Sequence, residues 1–306
     1  MKVLFISSQK KNTNISPFVK SQGDSLEKIG VEVSYFLIKN KGLFGYLKAI
    51  FQLKKFIKKT QFDVFHAHYS YSGYVASLAG CKPLVISLLG SDVLASKSRK
   101  IIMKVFIKFF NWPKIIVKSE EMKSILGLEK VEVIPNGVNM DFFKPMPLEI
   151  CRVKIDWPLN EKIILFNGDE NNSIKNYELA EEVVSKLPFE ARIISLKNLT
   201  RDEVVLYYNA CDVFLSTSKW EGSPNTIKEA MACNTPIIAT KVGDISFLFG
   251  KNSGNYCCEF NTQLLSKKLQ DFLLIDKRES NKGRFRLNEI NLDQINIAQR
   301  IKEFYD

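Results

Sequence analysis

Short runs of β-branched and aromatic residues recur along the first half of the chain, as KVLFIS, VEVSYF, DVFHAH, PLVISLL, KIIVK and VEVIP, and stretches with helical spacing separate them. In the second half KIILFN, ARIISL, DVFLSTS and PIIAT alternate in the same way with NYELAEEVVSKL, RDEVVLYYNA and PNTIKEAMAC. Strand–helix alternation implies an α/β fold of parallel sheets with helices on both faces, and its occurrence twice implies two doubly wound domains. The break is expected where Pro145, Pro147 and Pro158 interrupt any regular pattern, which gives domains of 1–150 and 151–290. The tail INLDQINIAQRIKEFYD, 291–306, reads as an amphipathic helix opened by Asp293 and able to pack on either domain, back onto the first included.

One stretch carries chemistry. In SKWEGSPNTIKEAMACNTPIIATKVGD, Ser218 to Asp244, the strand DVFLSTS runs into Ser223 and Pro224, which reads as serine N-cap and proline at the first helical position. The helix is expected to reach about Cys233 and stop before Pro236. Ligands of an open parallel sheet gather beyond the carboxyl ends of the strands, where helix N-termini offer free N–H groups, so Glu221 sits at the ligand-facing end. Glu229 falls about one and a half turns into the helix. A sugar joined through a diphosphate to a ribose has those dimensions, and carboxylates accept paired hydrogen bonds from vicinal hydroxyls. The same pair also reads as a surface glutamate preceded by a loop glutamate.

At 306 residues, with 45% hydrophobic and 25% charged residues, the chain is a soluble globular protein long enough for two cores. Residues 1–145 hold 23 Lys and Arg against 10 Asp and Glu, a balance of +13, whereas 146–306 hold 21 against 23, a balance of −2. A strongly basic half suggests a partner with an anionic surface. Cys81, Cys151, Cys211, Cys233, Cys257 and Cys258 show no CxxC pairing, which fits a reduced, cytoplasmic compartment. The opening MKVLFISSQKKN lacks a signal-peptide pattern, and no apolar run approaches the roughly 18 residues of a membrane span, so the protein is expected to stay on the side where it is made.

Seven residues separate Glu221 from Glu229, and with AMACNTPIIAT beyond them the pair resembles the signature of glycosyltransferase family 4, the retaining GT-B enzymes of the bacterial surface-polysaccharide type. The likeness continues in LYYNACDVFLSTSKWEGSPNTIKEA, VIPNGVNMDFF, FNGDENNSIKNYELA, HAHYSYSGYVA and LLGSDV, and so spans nearly the whole chain. It implies two Rossmann-like domains facing across a cleft, with a nucleotide-sugar donor held by the second and the acceptor mainly by the first. It further implies that Glu229 binds the ribose and Glu221 lies against the donor sugar. The backbone of Gly222, Ser223, Pro224 and Asn225 would meet sugar and diphosphate, and Lys175 would neutralise the leaving diphosphate. The acceptor hydroxyl then attacks beside the departing diphosphate, whose oxygen takes the proton, and electrostatic stabilisation of the leaving group carries most of the work. No two aspartates stand in a DxD arrangement, so neither a metal nor a cofactor is expected beyond the nucleotide-sugar co-substrate.

The chain departs from the family pattern at three places. Asp169 and Glu170 follow Gly168 where an arginine usually grips the diphosphate; Leu89, where a histidine is frequent, precedes Gly90, Ser91 and Asp92; and SSQKKNTNIS lacks the usual glycine pair. Lys10 and Lys97 are alternative cations. His66 and His68 share one face of a strand end, which makes His68 a candidate catalytic contact and His66 a candidate acceptor residue; a zinc site would need further ligands. Asp92 either touches the acceptor or caps the helix beginning near Ser96. Asn136 and Gly137 form a turn or touch the donor.

In LFGYLKAIFQLKKFIKK, at 100° per residue, Lys48, Lys55, Lys58 and Lys59 share an arc with Phe44 and Phe51, opposite Tyr46, Ile50, Leu53 and Ile57. Aromatics among lysines suit a headgroup layer, and Lys97, Lys100, Lys104 and Lys108 form a second stripe, although a solvated lysine face is the plainer alternative. The expected function is sugar transfer to a hydroxyl of a glycan or polyprenyl-linked acceptor, by an enzyme lying on the inner face of the cell membrane. A GT-B nucleotide-sugar epimerase and a non-catalytic basic membrane- or nucleic-acid-binding protein are the alternatives. No zinc-finger, RNP or basic-zipper pattern supports nucleic acid, and no GxGxxG after the first strand supports a nicotinamide cofactor.

Overall fold

A computed structural model of the chain describes residues 1–9, 15–39, 42–94, 97–128, 130–251, 253–275, 278 and 280–306, with residues 43 and 97–100 described by their backbone alone. Lys10 and Ser96 lie outside the described residues, as do the side chains of Lys97 and Lys100. The chain divides into two units, Met1–Gly137 with Gln294–Asp306, and Val138–Asp293.

In the first unit β1 (Lys2–Ser8), β2 (Glu32–Ile38), β3 (Val64–His68), β4 (Leu84–Ser87), β5 (Lys114–Val117) and β6 (Val131–Val133) form a parallel sheet in the order β2-β1-β3-β4-β5-β6. In the second, β7 (Ile163–Phe166), β8 (Arg192–Ser195), β9 (Val213–Ser216), β10 (Ile237–Thr240) and β11 (Tyr256–Cys258) are ordered β11-β10-β9-β7-β8, again parallel. Ten of these strands arise from the apolar runs of the sequence. The edge strand β11 has three residues, too few for a periodic signal. Both sheets reverse their winding beside their first strand, between β1 and β3 and between β7 and β9, and such reversals are where parallel sheets bind ligands.

Each sheet closes over its own core. Leu4, Ile6, Leu53, Ala67, Ile86 and Ile115 are buried together in the first unit; Ile164, Phe166, Val183, Leu215, Ile238 and Leu269 in the second. The end of the first unit lies at Gly137, not near 150. The reason is hydrogen bonding that the prolines do not reveal. Arg284 donates to Met140 O (2.8 Å) and Phe143 O (2.8 Å), and Asn209 exchanges bonds with Lys144 O (3.1 Å) and Met146 N (2.8 Å), so this segment is anchored in the second unit. The helix Gln294–Tyr305 returns to the first unit. Lys114 Nζ donates to the carbonyls of Phe304 (2.9 Å) and Tyr305 (3.0 Å) at its end, and Arg300 donates to Val133 O (2.8 Å).

Arg152 organises the start of the second sheet. It is 1% exposed, and its guanidinium donates to the carbonyls of Ala210, Pro158, Leu159 and Glu161 at 2.9–3.1 Å. It also donates to Asp212 at 2.8 Å, a carboxylate that accepts from Ile163 N, the first residue of β7. Removing one partner of a buried pair strands the other, so Arg152→Met is expected to lower stability by about 3–5 kcal/mol. Denaturant titration reads this directly, and a loss below about 1 kcal/mol, the level of a surface pair, would contradict it.

Candidate active site

The winding reversal of the second sheet sets the carboxyl ends of β7 and β9 side by side, and polar bonds staple the loops that leave them. The buried Thr217 hydroxyl lies within bonding reach of Lys175 O (3.0 Å) and Asn176 O (2.9 Å), and Lys219 N donates to Ile174 O (2.8 Å). Asn167 Nδ2 donates to Ser216 Oγ (2.8 Å), and Thr240, at the end of β10, donates to Ser218 O (2.7 Å). Gly168 takes φ +116°, a conformation that favours glycine, as the chain leaves β7 beside the stem of Lys175.

These staples bring two of the sequence-predicted residues into contact. Lys175 Nζ lies 2.7 Å from Glu221 Oε1, which also accepts from Ser218 Oγ at 2.9 Å. Their side chains keep 19% and 16% of their exposure, so the pair is shielded yet reachable. Helix Asn225–Ala232 begins one residue later than expected: Pro224, not Ser223, is its N-cap, and no side chain caps it from that position. Ser223 Oγ instead accepts from Lys228 Nζ (3.2 Å), because that buried ammonium needs an acceptor more than the helix end needs a cap. Glu229, on the same helix, accepts from Tyr208 Oη at 3.2 Å. Burial raises its carboxyl above the usual range, against the pull of Tyr208, Arg201 and Lys228.

The acids in place of the arginine are occupied. Asp169 accepts from Asn171 N (3.0 Å), which holds its exposed carboxylate low, and Glu170 pairs with Lys197. The sequence reading missed Lys228, Tyr208, Asp244 and Lys197. The legible signal was Lys228, a lone lysine among the apolar positions Ile227, Ala230 and Met231. A depression of about 310 Å³ lined by Phe142, Met146, Lys154, Asp202, Val205 and Leu206 contains none of the predicted donor residues.

In the first unit the structure corrects the place of His66. It is fully buried, with Nδ1 2.6 Å from Tyr305 Oη and Nε2 2.8 Å from Ser87 Oγ, so both nitrogens are engaged inside the first unit. His68 stacks on it with ring centroids 4.4 Å apart. Burial, then the charge of Lys118, depresses His68 to about 3, so it is neutral at pH 7, and its Nε2 has no hydrogen-bond partner among the described residues. Asp92 is a local cap: it accepts from Ser70 Oγ (2.6 Å), Ser70 N (3.2 Å) and Leu89 N (2.8 Å), joining two helix starts. Asn136 and Gly137 follow β6 in irregular backbone at the end of the first unit. On helix Leu43–Ile57, Phe44 and Phe51 are 86% and 72% exposed and Lys48 and Lys55 are exposed with them, as are Lys58 and Lys59 just beyond, whereas Leu53 is buried. Among the described residues no helix is long and apolar enough to cross a membrane.

Residues 154–285 match the model of the glycosyl transferases group 1, and residues 4–115 that of the glycosyl transferase 4-like family. The putative teichuronic acid biosynthesis glycosyltransferase TuaC of Bacillus subtilis is 27% identical over 218 residues, 62% of this chain and 56% of the relative. The UDP-Gal:alpha-D-GlcNAc-diphosphoundecaprenol alpha-1,3-galactosyltransferase of Escherichia coli is 25% identical over 270 residues, 74% of this chain and 70% of the relative. The chain thus spans little more than half the length of the first relative. Among solved structures, sucrose-phosphate synthase from Thermosynechococcus elongatus superposes with a TM-score of 0.85 at 17% identity, covering 99% of this chain and 98% of the other. Anabaena HepE, solved with UDP and glucose, gives 0.77 at 17% identity and the same coverage. Matched in both of its domains and folded like these proteins, the chain belongs to the group 1 and 4-like glycosyltransferase families, with the GT-B fold.

Proposed function

We propose that this chain is a retaining, metal-independent, hexosyltransferase-like enzyme that moves a sugar from a nucleoside diphosphate sugar to a hydroxyl of a glycan or lipid-linked acceptor in surface polysaccharide biosynthesis. The observation that carries the reading is the Lys175–Glu221 pair at the switch point of the second sheet, beside the first turn of the helix bearing Glu229. The two charges meet each other at 2.7 Å. A donor exchanges partners with both: its diphosphate takes the ammonium of Lys175, and a sugar hydroxyl donates to Glu221. Glu229 receives the ribose hydroxyls, with Tyr208 fixing the carboxylate. The acceptor hydroxyl attacks the anomeric carbon on the face the diphosphate leaves, and the diphosphate oxygen takes the proton. The names of the relatives support a UDP-linked donor and a diphosphoundecaprenol-linked acceptor.

A test incubates the protein with nucleotide sugars and a polyprenyl diphosphate-linked glycan and reads the anomeric configuration of the product by NMR. An inverted product would overturn the retaining mechanism. Lys175→Ala is expected to lower turnover by at least about 100-fold, the cost typical of one preorganised stabiliser. Near-normal turnover in steady-state kinetics would assign the diphosphate to another cation.

Loss of a charge-assisted bond to ribose costs roughly 1.5–3 kcal/mol, so Glu229→Ala is expected to weaken nucleoside diphosphate binding by that amount in calorimetry. Because burial raises this carboxyl, wild-type affinity for a nucleotide sugar should also fall as pH drops through its titration and the acceptor of the ribose bonds is protonated. An affinity indifferent to the substitution excludes the ribose role.

The first domain is proposed to rest on an anionic membrane at the inner face of the cell. Exposed phenylalanines stand among exposed lysines on helix Leu43–Ile57, and on helix Lys97–Phe110 Ile101, Ile102, Val105 and Phe109 are exposed among Lys104 and Lys108. Each lysine near an anionic leaflet contributes on the order of 1 kcal/mol, enough in sum for reversible association. Replacing Lys48, Lys55, Lys58 and Lys59 by glutamine should reduce co-sedimentation with phosphatidylserine vesicles at low salt and leave nucleoside diphosphate affinity unchanged. A wild type that stays in the supernatant would make the basic face ordinary solvated surface.

A further inference from the structure

The loop Glu221–Pro224 is held from behind as well as from the front. Lys228, one turn into helix Asn225–Ala232, is fully buried, and its Nζ donates to Ser223 Oγ at 3.2 Å. Asp244, which follows β10, accepts a hydrogen bond from Ser223 and lies in the field of Lys228. Its backbone N–H donates to Gly222 O at 3.3 Å. Gly243 sits so close that a Cβ there would lie 2.5 Å from Glu221 O and 2.7 Å from Gly222 O, contacts that backbone atoms cannot relieve. One polar triad therefore ties a helix, a loop and the turn after β10 together, directly behind the residue that pairs with Lys175.

Two buried charges are a costly way to tether a loop, since well-packed apolar side chains of similar volume do so at no desolvation cost. Burial lowers the Lys228 ammonium to about 8 against the fields of Asp244 and Glu229, and pushes the Asp244 carboxyl up to about 6 against Lys228 and Ser223, with Glu221 raising it further. Among the described residues the Oδ1 atom of Asp244 has no hydrogen-bond partner, so the triad does not satisfy its own acid completely. Such an arrangement is explained if the positive charge serves something that arrives later.

We propose that Lys228 is a positioning residue for sugar transfer: acting through Ser223 it keeps the backbone of Glu221–Pro224 aimed at the donor, and from behind the loop it supplies the second positive charge that the diphosphate site lacks after Gly168. The inference rests on the donor reading above. Lys175 faces the diphosphate in front and exchanges its partner when the donor binds; Lys228 keeps its partners and stays fixed. Charge builds on the leaving oxygen as the anomeric C–O bond breaks, so a fixed charge acts on turnover more than on donor affinity.

The test separates this role from plain neutralisation of Asp244. Lys228→Met, Asp244→Asn and the double variant are compared with wild type by thermal denaturation, by calorimetry with UDP, GDP, ADP and CDP, and by nucleoside diphosphate release from the corresponding glucose conjugates. In that release water takes the place of the acceptor: its oxygen bonds to the anomeric carbon, the diphosphate leaves, and a water proton passes to the diphosphate. Lys228→Met alone is expected to unfold at lower temperature, because it strands Asp244. The double variant removes both charges and should regain wild-type thermal stability. Its kcat should nevertheless remain down by about tenfold or more with donor KM within about threefold, the signature of lost transition-state stabilisation. A double variant that regains both stability and turnover would overturn the proposal and leave Lys228 a counter-charge to Asp244. A wild type that binds none of the four diphosphates would overturn the donor reading itself, an outcome distinct from the first.

Discussion

A parallel sheet that reverses its winding leaves two neighbouring strand ends with no crossover between them, and in the second domain every feature of the candidate site follows from that constraint. At the ends of β7 and β9 the backbone runs out of ladder partners, so side chains replace them: Thr217 bonds to carbonyls of the loop after β7, Asn167 to the Ser216 hydroxyl at the end of β9, and Thr240, from the end of β10, to Ser218 O. The loops so fixed hold Lys175 against Glu221. A flexible lysine and a loop glutamate would gain little from meeting in water; here the staples have already removed most of the entropy that such a meeting costs.

The second domain places its charges in graded burial. Arg152 is wholly interior, its donors satisfied by four carbonyls and Asp212, and it acts on the fold alone. Lys228 is equally buried but bonds to Ser223 in the loop after β9, beside an acid left incompletely bonded among the described residues. Lys175 is partly open and can exchange partners. The first kind of charge fixes where β7 begins, the second where the loop after β9 stands, and the third pairs with Glu221 within reach of solvent. Thiols show the inert extreme of the same gradient, with Cys211 fully buried and pushed up to about 12, where no reactive thiolate forms.

The first domain divides its polar groups differently. His66 holds the returning helix through Tyr305, and Asp92 joins two helix starts. The basic charge lies outward instead, on a helix whose apolar stripe packs on the core through Leu53, with Tyr46, Ile50 and Ile57 beside it, while Phe44 and Phe51 stand in solvent on the opposite, lysine-bearing arc.

Ten strands, the doubly wound class, the amphipathic face of Leu43–Ile57 and the spacing of Glu221 and Glu229 were legible in the sequence, because each is a property of period and local composition. Strand order was not, since it depends on pairing between distant segments. The end of the first unit was misread because Pro145 and Pro147 signal a local break, while what assigns the segment is Arg284, distant in the chain. The same limit applies within the site. Sequence marked Lys175 and Glu221 separately, 46 positions apart, but only the fold brings them to 2.7 Å. It could not show that Ser223 serves Lys228 rather than its own helix, nor that Asp244 lies behind the loop, because a buried charge is defined by what surrounds it, and only tertiary packing decides that.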